Sequence, residues 1–123
     1  MHNKKILIID DDARNTFALG LILRTKNYDC LTQQSALAGL QILEEHNDIG
    51  IVLLDMMMPG MDGYETIGII KNNHKISHVP VVAVTAQAMP GDREKCLAAG
   101  ADAYISKPVD VDKLLVILKE RML

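Results

Sequence analysis

A chain of 123 residues with 49% apolar and 24% charged residues has room for one domain and one full core. A net charge of −3 excludes the basic stripe that direct nucleic-acid binding needs. No apolar run approaches the ~18 residues of a membrane span, and three Tyr, one Phe and no Trp leave the core to aliphatic side chains.

In chain order, Lys5-Ile-Leu-Ile-Ile-Asp10 reads as a strand buried on both faces that ends on a carboxylate. Its apolar part meets Asp10, Asp11 and Asp12 at once, so it is no signal peptide. Ala13 to Lys26 predicts a helix capped by Asp12 or Asp11. Ala18, Leu19, Ile22 and Leu23 supply its inward stripe, while Phe17 and Leu21 lie on another face with Gly20 between them. That second face fits either a deeply buried helix or a docking face for a partner helix. Tyr28 to Gln33 is a short strand, and Ser35 can cap a helix over Ala36 to His46.

Ile51-Val-Leu-Leu54 is the central buried strand, and it stops on Asp55. Pro59, Gly60 and Gly63 then force an exposed loop. Asp62 followed by Glu65 has the form of a capping box, opening a helix to about Asn73. Val79 to Val84 is a fourth strand that ends at Thr85. Pro90 at a first helical position, with Asp92 and Glu94 behind it, predicts a helix that Gly100 closes. Ala103 to Ser106 is a fifth strand reaching Lys107-Pro108. Asp110 can cap a last helix with Val111, Leu114, Leu115, Leu118 and Met122 on one face. Strand and helix alternate five times, and right-handed crossovers then give a doubly wound α/β domain with a five-stranded parallel sheet.

In such a sheet, ligands bind beyond the carboxyl ends of the strands. Four strand ends deliver polar groups there: Asp10 and Asp11, Asp55, Thr85, and Lys107. Two unit charges ~4 Å apart repel by about 4 kcal/mol at an effective dielectric of 20, so three carboxylates need a cation, a proton or the nearby Lys107. An all-oxygen set without Cys or His suits a hard ion such as Mg²⁺. This is a phosphoryl-transfer layout, in which metal and ammonium neutralise charge and a hydroxyl holds a transferred oxygen. Asp55, alone on the central strand, is the candidate nucleophile for an aspartyl phosphate.

Ile6-Leu-Ile-Ile-Asp-Asp11, Leu54-Asp-Met-Met-Met-Pro-Gly-Met-Asp-Gly63, Val84-Thr-Ala86 and Ser106-Lys-Pro108 resemble the receiver domain of two-component response regulators, over essentially the whole of residues 1–123. The stretch from Thr85 to Gly100 is similar to receivers attached to hybrid histidine kinases. The resemblance implies a flavodoxin-like strand order 2-1-3-4-5. It implies that Asp55 accepts a phosphoryl group from a phosphohistidine on a histidine kinase or histidine phosphotransfer domain. Asp10, Asp11, Asp55 and the backbone carbonyl of Met57 would hold Mg²⁺, with Mn²⁺ as an alternative ion. Thr85 and Lys107 would bind phosphoryl oxygens, and Lys107-Pro108 would be a cis peptide. Thr85 and Tyr104 would form the switch, altering a partner-binding face made by the fourth helix, fifth strand and fifth helix. Met57 and Gln87 match positions that tune access of hydrolytic water; Gln87 could orient a water, whereas Met57 is apolar.

The expected function is therefore a phosphoacceptor switch that phosphorylates and dephosphorylates itself, rather than a dedicated enzyme. Met1 points to a complete start, and the chain fits either a stand-alone regulator or a receiver from a larger protein. Cys30 and Cys96 lack C-x-x-C or metal spacing and read as small buried residues in a reducing cytosol, which makes the expected location cytoplasmic. Met56 reads as core, with Met57, Met58 and Met61 as loop packing, and His2, His46, His74 and His78 as solvated surface. Val116 falls away from the apolar stripe of the last helix. The alternative function is a metal-dependent phosphatase of the haloacid-dehalogenase type, for which Asp10-x-Asp12 would be nucleophile and acid. That class calls for Thr or Val two residues after the second Asp, a cap insertion and a late pair of carboxylates. None of these is present. A docking module without phosphorylation is disfavoured because every site residue is there.

Overall fold

A computed structural model describes residues 4–86 and 90–123 of the chain. Along it run β1 (Lys5–Ile9), α1 (Ala13–Thr25), β2 (Cys30–Gln33), α2 (Ala36–Glu45), β3 (Ile49–Asp55), α3 (Gly63–Lys71), β4 (Val81–Thr85), α4 (Asp92–Ala98), β5 (Ala103–Ser106) and α5 (Val111–Arg121). All pairings are parallel, and the strands lie in the order β2-β1-β3-β4-β5. The expected doubly wound architecture and its strand order are both present.

Every residue of β3 and β4 is buried, because helices cover both faces of the sheet and no strand face meets water. Strand alternation divides the core in two. Leu7, Ile9, Val52, Leu54, Val81 and Ala83 pack beneath α2, α3 and α4, where Leu43, Ile67, Ile70 and Cys96 meet them. Ile6, Ile8, Ile51, Leu53, Val82, Val84 and Ile105 pack on the other face against Leu23 of α1 and Leu114 and Leu118 of α5.

Capping follows the sequence closely. The Asp12 side chain accepts from the Arg14 and Asn15 amides, Ser35 from Ala38, Asp62 from Glu65, and Asp110 from Asp112 and Lys113. Several boundaries differ from expectation for physical reasons. β3 starts two residues early, since Ile49 pairs with Lys5 across a register irregularity. β4 starts late, because Pro80 has no amide to give and enters the ladder only as the carbonyl that accepts from Val52 at 2.9 Å. α4 begins at Asp92 rather than Pro90: Gly91, at φ +86°, takes the capping position in a left-handed conformation open to glycine. Tyr28 is buried but precedes β2. α1 also turns differently. Leu23 and Thr16 are buried, while Ala18 and Ile22 stay exposed, because α1 and α5 leave a cleft between them instead of closing over the sheet.

α2 lies so close to β1 that a Cβ added at Gly39 would overlap the Ile9 side chain, whose Cγ1 is 2.7 Å away. Ile9 is fully buried and has no room to retreat. Gly39→Ala should therefore cost about 1–3 kcal/mol, the usual range for overpacking, despite the better helix propensity of alanine. Urea unfolding of Gly39→Ala alone and with Ile9→Val checks this; the second change should recover part of the loss, because the two sites share one contact.

Candidate functional site at the carboxyl edge of the sheet

The connections reverse direction between β1 and β3, and this is where an open α/β sheet leaves a crevice. Ile9 pairs with Leu54, so the next residues, Asp10 and Asp55, stand side by side at the edge. Both continue the parity of Ile8 and Leu53 and so belong to the face covered by α1 and α5. Lys107 continues the parity of Ile105. These three residues form the polar end of a cleft of about 490 Å³ whose walls include Ala18, Leu19 and Ile22 of α1 and Val111 and Leu114 of α5.

The Lys107 ammonium lies 3.1 Å from Asp10 Oδ2 and 3.4 Å from Asp55 Oδ2. The far oxygens are held by the backbone: Asp10 Oδ1 accepts from the Asp12 amide at 2.9 Å and Asp55 Oδ1 from the Met57 amide at 3.0 Å. Asp10 and Asp55 are buried while Asp11 is exposed, and one carboxylate oxygen from each lies within 4.8 Å of the others. One ammonium faces three carboxylates. Burial first, opposed by the Met57 amide and by Lys107 but reinforced by the Asp10 charge, holds the Asp55 carboxyl above the ordinary carboxylate range. Burial pushes Lys107 down, yet Asp10 and Asp55 outweigh it and the ammonium is raised. The donor set is all oxygen, net negative and open on the Asp11 side, which fits a hard divalent cation.

Thr85 ends β4, buried at 2% exposure, and its carbonyl accepts from the Lys107 amide at 2.7 Å. Tyr104 pairs with Ala83, two residues before Thr85, so alternation places Tyr104 and Thr85 on the same face of the sheet. That is the face opposite the carboxylates. Tyr104 is half-buried there, and its hydroxyl donates to Asp92 at 3.0 Å. The Lys107–Pro108 peptide is cis. Met57 is exposed beside Asp55. Gln87 lies outside the described residues.

Asp12, which would be the acid of a phosphatase pair, caps α1 through Oδ1 and stands outside the cluster of Asp10, Asp11 and Asp55. Met56 is core as expected, but so is Met58, buried in the cluster under α2, α3 and α4. Cys96 is buried, whereas Cys30, on the edge strand, is only half-buried. His46, His74 and His78 are exposed, and His2 lies outside the described residues. Tyr64, whose hydroxyl donates to Asp92 at 3.3 Å, carries no signal in the sequence, because its partner lies on another helix with no spacing rule to connect them.

The raised Asp55 pKa has a consequence for stability. Its native carboxyl keeps a proton to higher pH than the unfolded one, so the native state loses relative stability as pH rises through the raised value. Asp55→Asn removes that loss. In chelator, the variant should melt several degrees higher than the parent at pH 7, with the gain shrinking toward pH 4. A gain that stayed constant with pH would assign it to packing rather than charge.

Comparison with known proteins agrees with this geometry. Residues 6–119 match the family described as the response regulator receiver domain. The chain is 32% identical over 116 residues to the polar-differentiation response regulator DivK of Brucella ovis, covering 94% of each chain. Among solved structures it is similar to a putative response regulator from Chloroflexus aurantiacus, at 27% identity, a TM-score of 0.88 and 95% coverage of both chains. It is also similar to the receiver domain of a sensor histidine kinase from Pseudomonas aeruginosa, at 29% identity, a TM-score of 0.86 and 97% coverage of both; that protein has a magnesium ion coordinated in its active-site cleft. The chain belongs to the response regulator receiver domain family of two-component signalling.

Proposed function

We propose that this receiver is a phosphoacceptor switch in two-component or phosphorelay signalling, phosphorylated on Asp55. The observation that carries the reading is the placement of Asp55: buried on the central strand, paired with Lys107 at 3.4 Å, and in reach of two further carboxylates at the crevice. An Asp55 oxygen attacks the phosphorus of a phosphohistidine, the P–N bond breaks, the imidazole leaves and an acyl phosphate forms. Asp10, Asp11, Asp55 and the Met57 carbonyl would hold Mg²⁺, which supplies positive charge against the phosphoryl oxygens when bound. Mn²⁺ offers the same chemistry.

Lys107 already faces both buried carboxylates, so its ammonium needs little movement to pair with a phosphoryl oxygen. The hydroxyl of Thr85 binds another oxygen, and this draws Thr85 from the Tyr104 face over the edge of the sheet. Tyr104 follows into the space released, altering the surface of α4, β5 and α5 for a downstream protein. The phosphodonor is a histidine kinase or phosphotransfer domain, docking on the side of α1, where Phe17 is 68% and Leu21 47% exposed. Met57, 53% exposed at the mouth of the site, and Gln87 would set how readily water reaches the acyl phosphate. Among the described residues no helix is long and apolar enough to cross a membrane, and the proposed site of action is the cytoplasm.

Intact mass after incubation with acetyl phosphate tests the chemistry. A single phosphoryl adduct should form with Mg²⁺, fall to background in chelator and be absent from Asp55→Asn. An adduct that survived in Asp55→Asn would place the chemistry elsewhere. Thr85→Ala should still take the phosphoryl group but lose the change at β5 and α5. Amide chemical shifts recorded with and without beryllofluoride and Mg²⁺ check this; an undiminished response in Thr85→Ala would remove Thr85 from the switch.

A further inference from the structure

α4 is the shortest helix among the described residues, seven residues from Asp92 to Ala98, and its capping residue Gly91 has no side chain to offer. A helix this short does not hold itself together in water. Its first turn is instead fastened from outside. The two oxygens of Asp92 are taken by two tyrosines from different elements: Tyr64 of α3 donates to Oδ1 at 3.3 Å, and Tyr104 of β5 donates to Oδ2 at 3.0 Å. Lys95, one turn further along α4, sits with its ammonium 4.6 Å from the centre of the Tyr64 ring, a cation–π distance. Cys96, the next residue, is fully buried beneath.

An acidic residue in the first turn ordinarily serves the helix dipole from the solvent side. Asp92 is only partly exposed and turns its carboxylate toward the two hydroxyls. Tyr64 is anchored by α3, which packs on the sheet through fully buried Ile67 and Ile70. Tyr104 stands on β5, on the sheet face it shares with Thr85. Of the two groups tied to Asp92, Tyr104 is therefore the one beside the residue that moves in the proposed switch.

We propose that Asp92 is a positioning residue for the switch, its carboxylate holding Tyr104 at α4 in the resting state with Tyr64 as the fixed post. This rests on the phosphoacceptor reading above. When Tyr104 moves toward the place vacated by Thr85, its bond to Asp92 breaks and the first turn of α4 loses one of its two tethers. The same carboxylate thus opposes activation at rest and releases α4 during it. A ligand shifts a two-state protein only through contacts that differ between the states, and the Tyr104–Asp92 bond is such a contact.

The chain has three tyrosines, so 3-fluorotyrosine labelling gives three ¹⁹F resonances, assigned by Tyr→Phe substitution. In Asp92→Ala without phosphodonor, the Tyr64 and Tyr104 resonances should both move while that of Tyr28 stays. Phosphorylation of Asp55 by acetyl phosphate and Mg²⁺, followed by intact mass, should speed up about three- to tenfold, the effect of losing a hydrogen bond to an ionised acceptor in the resting state. Asp92→Asn keeps the size of the side chain but offers one carbonyl acceptor to two hydroxyls, and should fall between; it carries the test if Asp92→Ala unfolds. The discriminating measurement is the pair of changes together. If Asp92 acts through the Tyr104 hydroxyl, adding Asp92→Ala to Tyr104→Phe should change the rate less than twofold. An equal acceleration in both backgrounds would make Asp92 a helix-stability residue and overturn the proposal, as would a parent-like rate in Asp92→Ala and Asp92→Asn. Absence of any adduct on the parent protein would instead sink the phosphoacceptor reading, a result separate from either.

Discussion

Lys107 stands between Asp10 and Asp55 at 3.1 and 3.4 Å, and much of the molecule follows from the need to keep that arrangement intact. Two buried carboxylates beside a third exposed one repel each other, and a flexible loop would let them drift apart. Here the two buried carboxylates sit at the ends of strands locked into the sheet, Asp10 just after β1 and Asp55 as the last residue of β3. β1 and β3 are held in register from Ile6–Ile51 to Ile9–Leu54, β4 and β5 from Val82–Ala103 to Thr85–Ser106. The amides of Asp12 and Met57 then fix the rotation of the two buried carboxylates. An aliphatic sheet buried on both sides is thus what keeps a charge arrangement in place that would otherwise relax. The charge that remains unbalanced leaves the crevice net negative, which fits a hard divalent cation.

Under the proposed function, the same sheet separates chemistry from readout. Asp10, Asp55 and Lys107 belong to the face of α1 and α5, while Thr85 and Tyr104 belong to the face of α2, α3 and α4. The two sides communicate at the rim, where the Thr85 carbonyl accepts from the Lys107 amide. In the proposed switch a change at the crevice reaches α4 by way of two strand ends rather than through the core, which has no slack to transmit a graded displacement.

Most of this order was readable from residue types. Continuous apolar runs ending on Asp10 and Asp55 identify buried parallel strands and the edge where their polar groups collect, because burial on both faces abolishes alternation. Asp12, Ser35, Asp62 and Asp110 mark helix starts by a local bond that spacing alone specifies. What escaped depends on tertiary placement. The rotation of α1, which leaves Ala18 and Ile22 on a cleft wall, is set by how far α5 stands off, and no periodicity in α1 encodes that. Met58 is buried in the core, where local composition suggests only a loop. The Tyr64–Asp92–Tyr104 contact joins three elements that meet only once the sheet has formed. At Pro90 the usual preference of proline for a first helical position loses to Gly91, whose positive φ sets the entry of the chain into α4.

The outermost strands are also the shortest. β2 and β5 have four residues each, against five in β1, five in β4 and seven in β3. A parallel sheet of this kind has unpaired backbone donors and acceptors along both borders, a template on which a stray extended segment could add itself. Tapering from the centre outward leaves such a segment only a few rungs to grip on either side. A chain whose interior is almost wholly aliphatic can in this way carry a long hydrophobic middle strand without offering a border of the same length.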